Sequence, residues 1–200
     1  MNKETTARFL MLFTRENECS AVLDACVLVP MVLCDTLLRL AEQPALYRPL
    51  WSEQILAEVA RVLKSQFHKS KEQISWRLEA MRQAFPDATA IFPIELLRAT
   101  ECIPDKDDRH VLAAAISAHA NVIVTQNVRH FPAACLAKFG VQCQTSDEFL
   151  IDQYHLSPQV VLDKLDEQGA SMLKDRAFVI TNLKVCAPGF CQLLKAHAKY

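Results

Sequence analysis

The run NVIVT, residues 121–125, constrains this chain most. It stays apolar, without polar alternation, until Thr125, as a strand buried on both faces does. Such a strand belongs to a mostly parallel sheet covered by helices above and below. The rest of the pattern agrees. SAVLDA (20–25) is a second β-rich run, 47–51 a weaker one, TAIF (89–92) a short one before Pro93, and VQCQT (141–145) the last. Between them lie stretches with helical spacing. One covers 29–40, with Pro30 in its first turn. Another is capped by Ser52 and runs to about Phe67. A third covers 71–85, with Ile74, Leu78 and Met81 on one face, and an alanine-rich one covers 105–120. Strands alternating with helices imply βαβ units and an α/β fold.

After Thr145 the pattern turns helical. SDEFLIDQYHL and SPQVVLDKLDEQ read as helices with N-caps at Ser146 and Ser157, the second with proline at N1. Two more helical stretches follow, separated by an Ala-Pro-Gly turn at 187–189. Residues 150–200 are therefore expected to form a helical extension packed on a sheet domain that spans 1–149.

Two hundred residues, 51% of them hydrophobic and only three of them glycine, allow one full core with few irregular loops. The net charge of -1 makes any attraction for a polyanion local. Cysteines stand at 19, 26, 34, 102, 135, 143, 186 and 191 without a CxxC pair, and their neighbours are apolar. That suits small buried hydrophobes in a reducing compartment. The six histidines show no zinc-ligand spacing near them. The opening FLMLF is too short for the core of a secretion signal and is broken by Arg15. No apolar run approaches the roughly 20 residues that span a bilayer. A cytoplasmic protein without membrane association is expected.

Three carboxylates occupy places where a globular domain prefers apolar or neutral residues. Asp24 ends SAVLDA within apolar sequence; Asp108 precedes Leu112 and Ala115 at i+4 and i+7; Glu58 flanks the stripe Ile55, Val59, Val62, Leu63. A buried carboxylate is costly unless paired, so three from separate segments suggest a shared cation. Asn127, after the strand NVIVT, is a fourth candidate. Each has a plainer alternative: N-capping for Asp24 and Asp108, a solvated helix face for Glu58, a turn for Asn127. Capping is the better reading for Asp105 and Asp107. Mg2+ or Mn2+ prefers such hard oxygen ligands and can activate water beside a phosphodiester. Thr125 is placed to orient a neighbouring carboxylate or contact substrate. Arg109, Arg129 and His130, beside the acidic motifs, are candidate phosphate contacts. The denser basic set Arg61, Lys64, His68, Lys69, Lys71 and Arg77 reads first as a solvated helix face.

The segments AVLDACVL, SEQILAEVARVL, DKDDRHVLAAAISAHANVIVTQN and HFP resemble the ordered motifs of PIN-domain ribonucleases, most closely the VapC-type toxins of toxin–antitoxin pairs. The resemblance covers about 20–149, and the tail resembles the extension of a subset of these toxins. It implies a three-layer α/β/α sandwich with an acidic pocket for Mg2+ or Mn2+, and endoribonuclease activity. It implies metal-ligand roles for Asp24, Glu58 and Asp108, with Asn127 completing the catalytic set. It also implies an RNA substrate, an antitoxin partner and room for a homodimer. Two positions depart from the family pattern: Asn127 stands where an aspartate is frequent, and His130 where many relatives carry an acid. The rival reading is a PIN-fold interaction module without activity. A phosphotransferase with Asp24 as phosphoacceptor is disfavoured, because Cys26 stands where that chemistry wants a second acid.

Overall fold

The computed structural model describes residues 19–197, so the FLMLF stretch lies outside the described residues. Its centre is a four-stranded sheet in the order β2-β1-β3-β4, with every pair parallel. The strands are β1 (Ser20–Leu23), β2 (Arg48–Leu50), β3 (Val122–Val124) and β4 (Gln142–Gln144). β1 and β3 are buried along their whole length, as double coverage requires. The expected strand at 89–92 shrinks to one bridge, Trp51 to Thr89. Ile91 beyond it is 85% exposed and Pro93 follows, so neither burial nor a backbone donor extends the pairing.

After β1 the chain makes a single turn of helix, α1 (Ala25–Leu28), then α2 (Met31–Ala41). Pro30 is the N-cap of α2 rather than a residue of its first turn. The next helices are α3 (Glu53–Ser65), capped by Ser52, α4 (Lys71–Ala84) and α5 (Leu96–Ala99). A 3-10 turn over Lys106–Asp108 leads into α6 (Arg109–Ser117), and α7 (Ala133–Leu136) precedes β4. α6 lies on β1 and β3 and against α3, while α2 packs beside β2 in the opposite layer. The result is the three-layer α/β/α arrangement expected.

The remaining helices are α8 (Ser146–Leu156), α9 (Pro158–Ser171), α10 (Arg176–Leu183) and α11 (Pro188–His197). α8 is capped by Thr145, not Ser146: Thr145 and Glu148 form a reciprocal capping box, while Ser146 is buried and donates to the Cys186 carbonyl. The helices are keyed to the sheet layer by specific contacts. Buried Gln168 accepts from Thr36 Oγ1 at 2.7 Å and donates to the Val32 carbonyl at 2.9 Å. Tyr47 meets Phe149 edge-on at 4.8 Å. Asp147 accepts from the backbone of Gly189 and Phe190, the first turn of α11, so the Ala-Pro-Gly segment starts a helix. No helix among the described residues is long and apolar enough to cross a membrane.

Most of the cysteines are free and at least partly buried, as expected, but one pair is not. Cys102 and Cys135, 33 positions apart, form a disulfide that ties the segment after α5 to α7. Of the others, Cys34 and Cys191 are buried and Cys19, Cys26, Cys143 and Cys186 partly so.

Candidate functional site

The chain runs from β1 outward to β2 and returns to the opposite side of β1 as β3. At such a switch point the loops beyond the carboxyl ends of the two strands diverge and open a crevice. Asp24 follows β1 there and Thr125 follows β3. The Asp24 backbone N–H donates to the Val124 carbonyl at 3.1 Å, which ties the two strand ends together.

The Asp24 carboxylate is only 4% exposed, yet its hydrogen bonds come from neutral donors. Ala25 N–H donates to Oδ1 at 2.6 Å, which makes Asp24 the N-cap of α1. Thr125 Oγ1 donates to Oδ2 at 2.6 Å, and the Cys26 thiol approaches the same oxygen at 3.2 Å. Thr125 is fully buried, and its hydroxyl also accepts from Asn127 N–H at 3.0 Å. It therefore stands behind the carboxylate rather than on the cleft surface. Burial and the Asp24 charge push the Cys26 thiol up to about 12, so it stays protonated.

Asp24, Glu58, Asp108 and Asn127 line one cleft of about 320 Å³, with Val29 and Val62 as its apolar wall and Gln66 and Phe67 at the end of α3. The acids feel one another. Burial, then the Asp24 charge, raises the Glu58 pKa, and Asp108 adds to it; Arg61 opposes from 2.9 Å. Arg61 is 72% exposed, and a pair so open to solvent is worth little. Burial also raises Asp108, the Asp24 charge adds to this, and a hydrogen bond from His130 works against it. Asp108 makes no side-chain cap at α6. Asp105 does cap, accepting from Asp107 N–H at 3.0 Å, as its place in the sequence suggested.

His130 enters this site from the 3-10 turn after β3. Its Nδ1 lies 2.6 Å from Asp108 Oδ2 and 4.0 Å from Asp105 Oδ2. One ligand atom from each of Asp105, Asp108 and His130 falls within 4.8 Å of the others. Asp105 was read only as a cap. Its further place beside Asp108 and His130 had no signal in spacing, because His130 is 22 residues from Asp108. A neighbouring hollow of about 420 Å³ is lined by Glu58, Arg61, Asp107 and His110 among others. There His110 Nε2 lies 3.9 Å from Glu58 Oε2, and burial lowers the His110 pKa. Sequence reasoning passed over His110; its place one turn before buried Ala114 was the available clue.

The other candidates fall differently. Arg109 Nε donates to the Ile103 carbonyl at 3.1 Å, so its guanidinium holds the segment before the 3-10 turn. Arg129 is exposed on the turn that carries His130. Arg77 donates to the Leu28 and Val29 carbonyls and fixes α4 against α1.

The donor set fits a hard divalent cation. The Asp24 charge adds to the burial that raises the proton affinity of Glu58 and Asp108 in one cleft, and the guanidinium paired with Glu58 is solvent-exposed. Mg2+ and Mn2+ are held by such oxygens with waters completing the shell.

Comparison with known proteins follows the same lines. The family model described as PIN domain matches residues 20–129, more than half of the chain. Over 49 residues the chain is 49% identical to a Mycobacterium tuberculosis (strain ATCC 25618 / H37Rv) protein named "Putative ribonuclease VapC50". That match takes in 24% of this chain and 29% of the length of the relative.

Proposed function

The chain belongs to the PIN-domain family, and from that premise we propose that it is a divalent-metal-dependent endoribonuclease. The observation that carries this reading is the convergence of Asp24, Glu58 and Asp108 on one cleft at the switch point of the sheet. Similarity to a protein named as a ribonuclease supports RNA as substrate. Asp24, Glu58 and Asp108 would hold Mg2+ or Mn2+, with Asn127 at the rim; bound there, the ion would neutralise phosphate charge and lower the pKa of a water.

The reaction is hydrolysis: water adds to phosphorus, the P–O bond to one ribose breaks, and the leaving oxygen takes a proton. Thr125 and the Ala25 N–H fix the Asp24 carboxylate in one orientation. Glu58, lining the cleft, would take the proton of the attacking water where it meets the ion through that water rather than directly. Arg129, exposed on the turn that carries His130, would contact phosphate, whereas Arg109 is committed to backbone. In this reading residues 1–149 form the nuclease domain and 150–200 its helical extension, although α8 runs across that division.

We further propose that the chain is the toxin of a toxin–antitoxin pair acting in the cytoplasm. Its partner would be an antitoxin that silences the cleft with an inserted cation, an arginine fork satisfying the carboxylates being the simplest. Purified protein given RNA and Mn2+ should cut it, should fail in EDTA, and should fail as Asp24→Asn or Asp108→Asn with the fold retained by circular dichroism. Full activity in either variant would sink the assignment. Metal-independent inactivity of the wild type would favour the rival interaction module.

A further inference from the structure

From Val59 to Lys71 the chain carries Arg61, Lys64, Lys69 and Lys71 and no acid. This stretch closes α3 and opens α4. The turn is tight: His68 takes φ 51, and Lys69 N–H donates to the Leu63 carbonyl at 3.1 Å. It carries Phe67 outward, 53% exposed. On the solvent side of α4, opposite its buried Ile74, Leu78 and Met81, stands Trp76, 72% exposed. The core needs neither ring, since both helices are already anchored by other side chains.

These residues are continuous with the acidic cleft. Phe67 and Gln66 line the cleft itself. Leu63, on the same last turn of α3, lines a groove of about 570 Å³ together with Met31, Lys69, Trp76 and Arg77; its one acid is Glu72. A path therefore leads from the carboxylates past Phe67 to Trp76, with Lys69 and Arg77 on its lining and Lys64 and Lys71 exposed on the neighbouring turns. With a whole-chain charge of only -1, this is where a polyanion finds local positive charge. The exposed rings and Met31 would suit a protein partner as well, but the lysines of this stretch would not, because the core of a protein interface is depleted of lysine.

We infer that this strip is the track along which single-stranded RNA approaches the cleft, with Phe67 and Trp76 as stacking platforms for its bases. The inference rests on the ribonuclease reading of the cleft and adds to it the surface, outside the acids, that receives the strand. Unstacked bases offer their faces to aromatic rings, whereas an A-form duplex hides them, so single strands are selected over duplexes. Stacking on any base face is sequence-tolerant, so the track supplies affinity and leaves the cut site to the cleft.

The chain has two tryptophans, and Trp51 is fully buried. Fluorescence quenching by a bound base therefore reports on Trp76. Short oligoadenylate, titrated in EDTA so that nothing is cut, should quench the emission; its duplex with oligouridylate should quench far less. Phe67→Ala and Trp76→Ala should each weaken binding, followed by anisotropy, by about tenfold, whereas Phe67→Tyr and Trp76→Phe should retain it. Thermal melts should match the wild type, since both rings are exposed.

Equal binding by the alanine variants, or equal binding of duplex and single strand, would overturn the track while leaving RNA cleavage intact. Quenching by an amphipathic peptide but not by oligoadenylate would also overturn it, assigning the strip to a protein. Oligoadenylate bound through these rings without metal-dependent cleavage would instead sink the nuclease reading and keep the track.

Discussion

Replacing Thr125 by valine separates the support of the site from its ligands. The hydroxyl makes two strong bonds at once, to Asp24 Oδ2 at 2.6 Å and from Asn127 N–H at 3.0 Å, beside a weaker contact with Cys26 Sγ at 3.2 Å and with no exposure to solvent. Valine keeps the shape and removes both. Loss of a bond to a charged group costs about 1.5–3 kcal/mol, and the orphaned backbone N–H about 1 kcal/mol more. A total near 3 kcal/mol should lower the melting midpoint by about 6–12 °C, at about 2–4 °C per kcal/mol for a chain of this size. The methyl of valine also faces Asp24 where a donor held it, so the carboxylate gains a second orientation. Loss of such support weakens metal binding by about 10–100-fold in comparable sites. Calorimetric melts in EDTA and titration calorimetry with Mn2+ measure the two effects separately. Thr125→Ser is the control, because it keeps the hydroxyl and loses only a methyl, about 1 kcal/mol. Valine and serine variants with the same Mn2+ affinity would refute the reasoning, whatever their melting points.

Two further outcomes follow from the geometry. Glu58 and Asp108 have raised pKa values in the fold, so their stabilising protonated forms are complete below the ordinary carboxylate range near pH 4 and are lost as pH rises through the folded values. Melting in EDTA should therefore fall over that window, less steeply in Asp24→Asn, and Mn2+ should restore most at the high end; His110, lowered by burial, adds the opposite slope below about pH 6.5. Reduction of Cys102–Cys135 by a dithiol, which oxidises to its own disulfide as the two thiols form, releases a loop of 33 residues and should cost roughly 3–4 kcal/mol in melts with and without reductant. An unchanged midpoint would show that the unfolded chain gains no freedom from the break.

The sequence carried the sheet because burial on both faces leaves an unmistakable apolar run, as in NVIVT, and the resemblance to PIN-domain proteins holds at the level of the family. It carried the inward direction of the Asp108 helix, since Leu112 and Ala115 are indeed fully buried. It misled at TAIF, where Ile91 is exposed, because hydrophobicity alone does not say which face is covered. The cap of α8 was written in Thr145 and Glu148, three residues apart, and was overlooked for the adjacent serine. What could not be read were pairings set by tertiary closure: His130 with Asp108, Thr125 with Asp24, Cys102 with Cys135, and the commitment of Arg109 to the Ile103 carbonyl.

The way each acid is satisfied explains how the cleft can persist before any cation arrives. A buried arginine beside Asp24 would have given the strongest local stabilisation, but it would also have filled the place of a cation and cancelled the field that attracts one. Instead Asp24 is held by an amide, a hydroxyl and a thiol, which orient the carboxylate and leave its charge in place. Glu58 is balanced by an exposed arginine that can swing into solvent, and Asp108 by an imidazole that can itself become a ligand. The mutual repulsion that remains is carried by the strand ends of β1 and β3, joined through Asp24 N–H and the Val124 carbonyl. Those ends belong to the two strands buried along their whole length, and the cost appears as raised proton affinity at Glu58 and Asp108.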